Sequence, residues 1–218
     1  MLKANDIRAK RVKQSYADRM EKFAEISRAN AARPEQCYPI IYADPPWKFE
    51  LFDEESGGER VPPYPTMDID ELKVMSIPAM DDAVLFMWAT SSHLGDAVDL
   101  VRAWGFTLKT TAVWVKPSIG LGYLLRNRHE LLLVASKGNI PGPLPGNRPD
   151  SVIEAPRREH SRKPDEAYEL IERMYPELPK IELFARAARE GWTAWGNQAA
   201  GTDPFEIPPM LDRCGVAS

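Results

Sequence analysis

The chain lacks several features that mark common protein classes. Its 218 residues include only three histidines, without the paired spacing of metal ligands, so we predict no metal site. No apolar run approaches a membrane span, and the charged N-terminus lacks an apolar signal core. The two cysteines, Cys37 and Cys214, lie far apart and suggest no disulfide framework. These absences favour a cytoplasmic protein that spans no membrane.

Two glycine-rich motifs for binding nucleotides are also missing. The sequence contains neither GxGxxG nor GxxxxGK[ST], so an ordinary dinucleotide or nucleoside-triphosphate site is not expected. Any cofactor of nucleotide type must therefore be held by other residues. In open α/β sheets such ligands bind at the carboxyl ends of the strands.

Charge is unevenly distributed along the chain. The net charge is −4, but residues 1–33 carry nine Lys/Arg and four Asp/Glu, which leaves −9 for the remainder. We predict that residues 1–33 form one long basic helix that ends before Pro34. A basic arm of this kind attracts a phosphate backbone. An apolar stripe at helical spacing would instead dock on the body or on a partner, and the two roles are compatible; its residues are Val12, Tyr16, Met20 and Phe23.

Short apolar runs alternate with helical segments in the rest of the chain, which predicts an α/β sheet flanked by helices. We expect a basic N-terminal helix in 1–37, one catalytic domain in 38–200 and an extended tail in 201–218. Predicted strands are 39–43, 83–88, 106–115, 131–135, 181–184 and 193–195, and predicted helices are 68–75, 91–104 and 164–174. The Gly- and Pro-rich segments 48–65 and 137–156 are predicted to be long loops that flank the substrate opening.

The most informative residues follow the first predicted strand: Asp44, Pro45, Pro46 and Trp47. An aromatic exocyclic amine is a poor nucleophile because its lone pair is delocalised into the ring. Hydrogen bonds to the Asp44 carboxylate and the Pro45 carbonyl would return that lone pair to nitrogen. The prolines would hold the loop rigid, and Trp47 would offer a face on which a base stacks. The alternative is a proline-stiffened turn with Trp47 in the core.

The C-terminal third supplies candidate cofactor residues. A cofactor with an amino-acid end, a ribose and an adenine would need a lysine for its carboxylate and an aromatic ring for its adenine. Arg, Asn and Gln would suit its ribose hydroxyls. The residues of these types are Lys163, Phe184, Arg186, Asn197 and Gln198. Taken singly, each also fits a structural role in a helix start, a core or a turn.

Together these segments resemble the DPPW-type adenine-N6 methyltransferases, which include the catalytic subunit of the eukaryotic messenger-RNA adenosine methyltransferase and many bacterial and phage relatives. The resemblance covers about residues 38–198. The matching segments, in chain order, are Tyr42–Trp47, Tyr64–Met67, Leu85–Trp88, Trp114–Lys116, Lys137–Asn139, Ser161–Glu166, Ile181–Arg186 and Trp195–Gln198.

The resemblance implies a Rossmann-like methyltransferase sheet and S-adenosylmethionine as the methyl donor. It also implies roles for individual residues. Asp44 and Pro45 would hold the amine, with Asp44 also near the donor's ammonium. Substrate contacts would come from Trp47, Tyr64, Trp88 and Glu130, and donor contacts from Lys163, Phe184, Arg186, Asn197 and Gln198.

The sequence departs from the messenger-RNA enzymes at several points. Ala187-Ala188 replaces a His-Asn pair after Arg186, and the region before Tyr38 lacks their Cys-Asp segment. The zinc-finger region that reads RNA in the eukaryotic enzyme is absent too. We expect DNA as the substrate, with RNA left open, and a bacterial or phage origin. The rival interpretations are a non-catalytic binding partner and a methyltransferase for another amine. An oligomer is compatible with either.

Overall fold

A computed structural model describes residues 37–48, 66–120, 124–140, 142–143, 145–158 and 162–196. The strands are β1 (Tyr38–Ala43), β2 (Ala79–Ala89), β3 (Thr107–Val115), β4 (His129–Lys137), β5 (Val152–Glu154), β6 (Lys180–Leu183) and β7 (Trp192–Trp195). The helices are α1 (Ile69–Val74), α2 (Leu94–Ala103) and α3 (Asp165–Met174). Single 3-10 turns cover Ser91–His93 and Pro145–Asn147.

The strands form one seven-stranded sheet in the order β5-β3-β4-β2-β1-β6-β7. β1 is parallel to β2 and to β6, β6 is parallel to β7, and β3 is parallel to β5. β4 runs antiparallel to both of its neighbours, β2 and β3. The carboxyl ends of the other six strands and the start of β4 therefore lie along one edge of the sheet, which we call the carboxyl edge.

Helices cover both faces of the sheet, and alternation along the central strands divides the core between them. Ile41 and Ala43 pack with the apolar residues of α1 and α2. Ile40 and Tyr42 point to the other face and pack against α3. All six residues of β1 are buried because the strand is covered on both faces and paired on both sides. The predicted Rossmann-like sheet flanked by helices is confirmed.

Most predicted elements are present within a few residues of the expected bounds. The helix expected from the Asp68–Glu71 capping box begins at Ile69, with both reciprocal bonds of the box in place. Two predictions need correction. Segment 137–156 is not all loop, because it contains β5, which pairs with β3. Pro164 is the N-cap of α3 and not its first helical residue.

Three expectations concern other parts of the chain. The N-terminal helix, most of loop 48–65 and the C-terminal tail lie outside the described residues.

Cys37 is disulfide-bonded, so the expectation of no disulfide is wrong and cysteine content gives no guide to the compartment. Among the described helices, none is long and apolar enough to span a bilayer.

Candidate active site

The loop that follows β1 places Asp44 at the carboxyl edge of the sheet. Two backbone hydrogen bonds close this loop: the Trp47 N–H donates to the Pro45 carbonyl at 2.8 Å, and the Met67 N–H donates to the Pro46 carbonyl at 2.9 Å. The two fixed proline φ angles and these bonds hold the turn in one shape. A carbonyl oxygen has two lone pairs, so Pro45 keeps one for a substrate amine.

Trp47 is a core residue on at least one face. Its side chain is only 6% exposed and lies in the cluster under α1 and α2. The His93 ring stacks on it, with ring centroids 5.6 Å apart and planes inclined by 17°. His93 also donates from Nε2 to the Lys48 carbonyl at 3.1 Å and bonds Thr90 Oγ1 at 2.8 Å through Nδ1. A base that stacks on Trp47 must therefore use the face that His93 leaves.

A chain of alternating charges runs through the site. Lys163 Nζ lies 3.1 Å from Asp44 Oδ1 and 2.9 Å from Glu130 Oε2. The second oxygen of Glu130 pairs with the ammonium of Lys116. These groups come from the end of β1, the start of β4, the end of β3 and the residue pair before α3. The sheet and helix thus bring together side chains that lie far apart in sequence.

These side chains are largely removed from water, and burial shapes their protonation. Burial raises the pKa of Asp44, although the neighbouring ammonium of Lys163 opposes that effect. Burial would also raise the pKa of Glu130, but the ammonium groups of Lys163 and Lys116 outweigh it and lower the pKa. For Lys163, burial would lower the pKa, yet Asp44 and Glu130 together raise it. Lys163 is therefore held as a cation between two carboxylates.

Trp88 forms the floor beneath this charged chain. Its ring is 1% exposed and lies 5.4 Å from Lys163 Nζ. The indole Nε1 donates to the Tyr42 hydroxyl at 2.6 Å. The position predicted for substrate contact is thus a buried one in this structure, where Trp88 supports Lys163 from below.

The ends of β6 and β7 build the other side of the site. Phe184, directly after β6, has a left-handed backbone with φ of 64°, a conformation that costs a residue other than glycine roughly 1–2 kcal/mol. Its ring packs edge-on against Trp195 at 5.6 Å. The guanidinium of Arg186, two residues later, is close enough to oppose the rise that burial causes in the pKa of Asp44. Backbone strain of this kind clusters at functional sites, so Phe184 is a candidate for contact with a ligand.

A close crossing of two loops explains the glycine after Trp195. The Ala185 N–H donates to the Trp195 carbonyl at 3.0 Å. A Cβ on Gly196 would come within 2.5 Å of the backbone N and O of Ala185. Only glycine fits at this point without moving the loop that carries Phe184 and Arg186.

Sequence reasoning assigned no role to a second polar group beneath the site. Tyr168 on α3 donates its hydroxyl to Glu182 Oε1 on β6 at 2.8 Å, in a buried position. Burial raises the pKa of Glu182 to about 7. The Tyr168 ring in turn packs against Tyr42 with centroids 4.9 Å apart. The available signal was a carboxylate between the apolar residues Ile181 and Leu183, because a buried carboxylate needs a partner.

The structure brings most of the predicted site residues to one place. Asp44, Lys163, Glu130 and Arg186 form a single electrostatic cluster, with Phe184 beside it. Lys116 and His93 belong to the same region, although neither was predicted as a site residue. Tyr64, Asn197 and Gln198 lie outside the described residues. In the part of the chain that the structure describes, no three His, Cys, Asp or Glu side chains are grouped to hold a metal.

Comparison with known proteins agrees with this geometry. The sequence profile of the MT-A70 family matches residues 38–198. The type II methyltransferase M.MunI of a Mycoplasma species is 33% identical over 223 residues, which cover 94% of this chain and 95% of the relative. The human N(6)-adenosine-methyltransferase catalytic subunit METTL3 is 34% identical over 190 residues, covering 81% of this chain and 31% of the relative. A probable N(6)-adenosine-methyltransferase of rice is 35% identical over 75% of this chain and 23% of its own length.

The family match spans more than two thirds of the chain and contains every part of the site described above. The same residues that approach one another at the carboxyl edge lie in the segments on which the resemblance rests. The chain therefore belongs to the MT-A70 family of adenine-N6 methyltransferases.

Proposed function

We propose that this protein methylates the N6 amine of adenine in DNA, with S-adenosylmethionine as methyl donor. The observation that carries the proposal is the shielded Asp44–Lys163 pair at the carboxyl edge, beside the Pro45 carbonyl. The two side chains are only 16% and 11% exposed, and their charged atoms are 3.1 Å apart. A pair of opposite charges in such a position suits a ligand that itself carries both charges.

The residues present fit the donor. When bound, S-adenosylmethionine supplies an electrophilic methyl group on a sulfonium, and its amino-acid end carries a carboxylate and an ammonium. Lys163 would bind the carboxylate and Asp44 the ammonium, so each buried charge would exchange one partner for another. Phe184 would line the pocket, and Arg186 would lie near the ribose. The predicted ribose contacts of Asn197 and Gln198 remain part of this proposal.

The protein's own groups would activate the adenine amine. The Asp44 carboxylate and the free lone pair of the Pro45 carbonyl would each accept one N–H of the amine, which localises its lone pair for attack in line with the methyl group. The methylated amine must then lose one proton. Asp44 suits that acceptor role because burial raises its pKa. Tyr64 and Trp47 would frame the base.

Similarity along nearly the whole of a type II methyltransferase favours DNA over RNA as the substrate class. The chain covers 95% of a type II methyltransferase from a Mycoplasma species, whereas it covers 31% or less of the human and plant adenosine methyltransferases cited above. Similarity to a whole type II methyltransferase supports DNA, together with a bacterial or phage origin and a cytoplasmic location. RNA is the second candidate, because adenosine methyltransferases are as similar in the segments they share.

A competition assay tests the substrate class. Labelled donor and protein are incubated with equal nucleotide amounts of unmethylated duplex DNA and of unmodified RNA, and the label is followed in each. We expect most of the label in DNA. Label confined to RNA would contradict the DNA proposal but leave the enzyme class intact, whereas no transfer to either would favour a non-catalytic partner.

A further inference from the structure

Between β3 and β4 the chain forms a projection that we call the arm, described at residues 116–120 and 124–128. Its two sides are joined by backbone bonds: Lys116 N–H donates to the Arg128 carbonyl at 2.7 Å, and Gly120 N–H donates to the Asn127 carbonyl at 2.9 Å. Arg128 Nε also donates to the Lys116 carbonyl at 3.1 Å. The arm is thus a continuation of the β3–β4 pairing beyond the carboxyl edge.

The arm exposes large apolar side chains. Leu124 is 88% exposed and Leu125 is 78% exposed, and Ile119 on the opposite side of the arm is 53% exposed. Single apolar residues on a surface are ordinary, but adjacent leucines with this exposure beside a catalytic site suggest contact with a partner. The nearest backbone hydrogen bond of the arm, from Gly120 to Asn127, lies two residues after Leu125.

The arm is also locally basic. Residues 116–128 contain Lys116, Arg126 and Arg128 and no Asp or Glu. Arg157, which follows β5, places its guanidinium against Gly120 and adds a further positive charge. Among the residues that the structure describes, no carboxylate forms an ion pair with Arg126, Arg128 or Arg157. A local cluster of positive charge attracts a polyanion to that place.

The base of the arm is joined directly to the active site. Lys116, its first residue, pairs with Glu130, and Glu130 pairs with Lys163 beside Asp44. A nucleic acid held by the arm would therefore lie next to the pocket into which a base must turn.

We propose that the arm is a duplex-DNA contact, in which Arg126, Arg128 and Arg157 bind backbone phosphates and Leu124 and Leu125 enter the duplex. This inference rests on the proposed function. A base in a duplex cannot reach a pocket at the sheet edge unless it is flipped. Proteins that open a duplex often insert apolar side chains between base steps, with basic residues on the adjacent phosphates. Exposed leucines flanked by arginines provide both parts.

A protein partner is the competing occupant. An open cavity of about 390 Å³ lies at the base of the arm and is lined by Val113, Val115, Arg128, His129 and Leu131. Two valines and a leucine would suit another protein chain, including a second copy of this one. The arginines favour the phosphate backbone over an apolar protein surface, and self-association is therefore measured as an outcome below.

A salt titration tests the phosphate contacts. Binding of a fluorescent unmethylated DNA duplex is measured from low to high salt for wild type and for Arg126→Gln/Arg128→Gln. Each phosphate contact contributes about 0.9 to the slope of log K against log salt, so we expect the double variant to flatten it by about 1.8. Arg102→Gln is the matched control, since Arg102 is exposed at the end of α2, at the opposite edge of the sheet. Equal slopes for all three proteins would overturn the proposal.

A second variant tests the leucines. In Leu124→Ala/Leu125→Ala we expect methylation of duplex DNA to fall about tenfold or more, because the flipped state loses its support. Affinity for S-adenosylhomocysteine and the thermal melt should stay at wild-type values. Val74→Ala is the control, because Val74 is 83% exposed at the end of α1. If the leucine variant methylates duplex DNA at the wild-type rate, the proposal that the leucines enter the duplex is overturned. It is also overturned if the variant loses a dimer or higher oligomer that wild type forms in sedimentation, because the leucines would then belong to a protein contact.

Failure of the arm and failure of the proposed function give different results. If wild type transfers no methyl group to DNA, the proposed function fails, while the salt titration still judges the arm because it needs no turnover. If wild type methylates DNA and all variants equal it, only the arm proposal fails.

Discussion

At the scale of single residues, the site depends on one lysine placed between two carboxylates. Lys163 Nζ is within 3.1 Å of both Asp44 and Glu130 and is almost excluded from solvent. Its charge compensates two buried negative charges in the protein without ligand. In the proposed complex it would also bind the donor's carboxylate. The residue therefore links the electrostatics of the fold to cofactor binding.

Replacement of Lys163 by alanine is expected to weaken the binding of S-adenosylhomocysteine by about tenfold or more. A charge-assisted hydrogen bond contributes roughly 1.5–3 kcal/mol, and the loss of Lys163 also removes the cation that lies between Asp44 and Glu130. Calorimetric titration measures the affinity. Lys109→Ala, an exposed lysine on β3, is the matched control and should bind as wild type does. Equal affinity in Lys163→Ala would show that the donor binds elsewhere.

Glu182 predicts a pH dependence of stability. Burial raises its pKa to about 7 from the usual value of 4.5. Between pH 4.5 and pH 7 the folded state therefore keeps a proton that the unfolded state has lost. Its contribution to stability is therefore greatest below about pH 4.5 and falls as the pH rises to about 7. A pKa that differs by one between the folded and unfolded states corresponds to about 1.4 kcal/mol, which makes the whole effect roughly 3 kcal/mol at most.

The change Glu182→Gln should remove this dependence while an amide oxygen still accepts the bond from Tyr168. We expect the variant and wild type to have similar melting temperatures near pH 5 and the variant to melt higher at pH 8. The exposed Glu169 on α3 offers a control, Glu169→Gln, whose melting curve should follow wild type across the range. Parallel curves for wild type and Glu182→Gln would show that Glu182 stays ionised in the fold.

At the scale of elements, local signals in the sequence were enough for the long strands and the helices. β1 is a fully buried apolar run, and α1 begins where the Asp68–Glu71 capping box predicts. β5 was missed because it has only three residues inside a Gly- and Pro-rich segment, and its partner β3 precedes it by some forty residues. The antiparallel direction of β4 was not readable either, because strand direction depends on how the connections cross the sheet.

The crossing of the β6 and β7 loops gives an element-scale prediction. In Gly196→Ala the new Cβ would lie 2.5 Å from the backbone of Ala185, so the loop carrying Phe184 must shift. We expect a loss of about 1–3 kcal/mol in the free energy of unfolding, together with weaker binding of S-adenosylhomocysteine. Chemical denaturation and titration measure the two effects.

Gly95→Ala is the contrasting change. Gly95 lies in the first turn of α2, where an added methyl group would have nothing within 4 Å, and alanine favours a helix over glycine by at most about 1 kcal/mol. This variant should be slightly more stable and should bind the donor analogue normally. Stability losses of the same size in both variants would contradict the account of the crossing.

At the scale of the whole molecule, the sheet assembles a site that no single segment contains. The sequence predicted Asp44, Lys163, Phe184 and Arg186 because they lie in motifs at strand or helix ends. It could not predict that Lys116 would reach Lys163 through Glu130, since that contact depends on the β3–β4 register and on the position of α3. For the same reason Trp88 proved to be the floor of the site, and Trp47 to be stacked on His93.

The charge distribution also looks different at this scale. The sequence drew attention to the basic residues 1–33, which lie outside the described part of the chain. The described residues place another basic region, the arm with Arg126 and Arg128, beside the active site. We expect this region to contribute to DNA binding whatever the N-terminal segment does.

The central claim is that Asp44 directs methyl transfer to the N6 amine of adenine. In the most direct test, unmethylated DNA is incubated with labelled S-adenosylmethionine and either wild type or Asp44→Asn, and is then digested to nucleosides. Asp99→Asn, on the exposed face of α2, is the control. We expect wild type and the control to place the label in N6-methyldeoxyadenosine. We expect Asp44→Asn to transfer methyl groups roughly 10²–10³ times more slowly, while its thermal melt shows that it is folded. Label in another nucleoside, or a folded Asp44→Asn variant within a few-fold of wild type, would contradict the account.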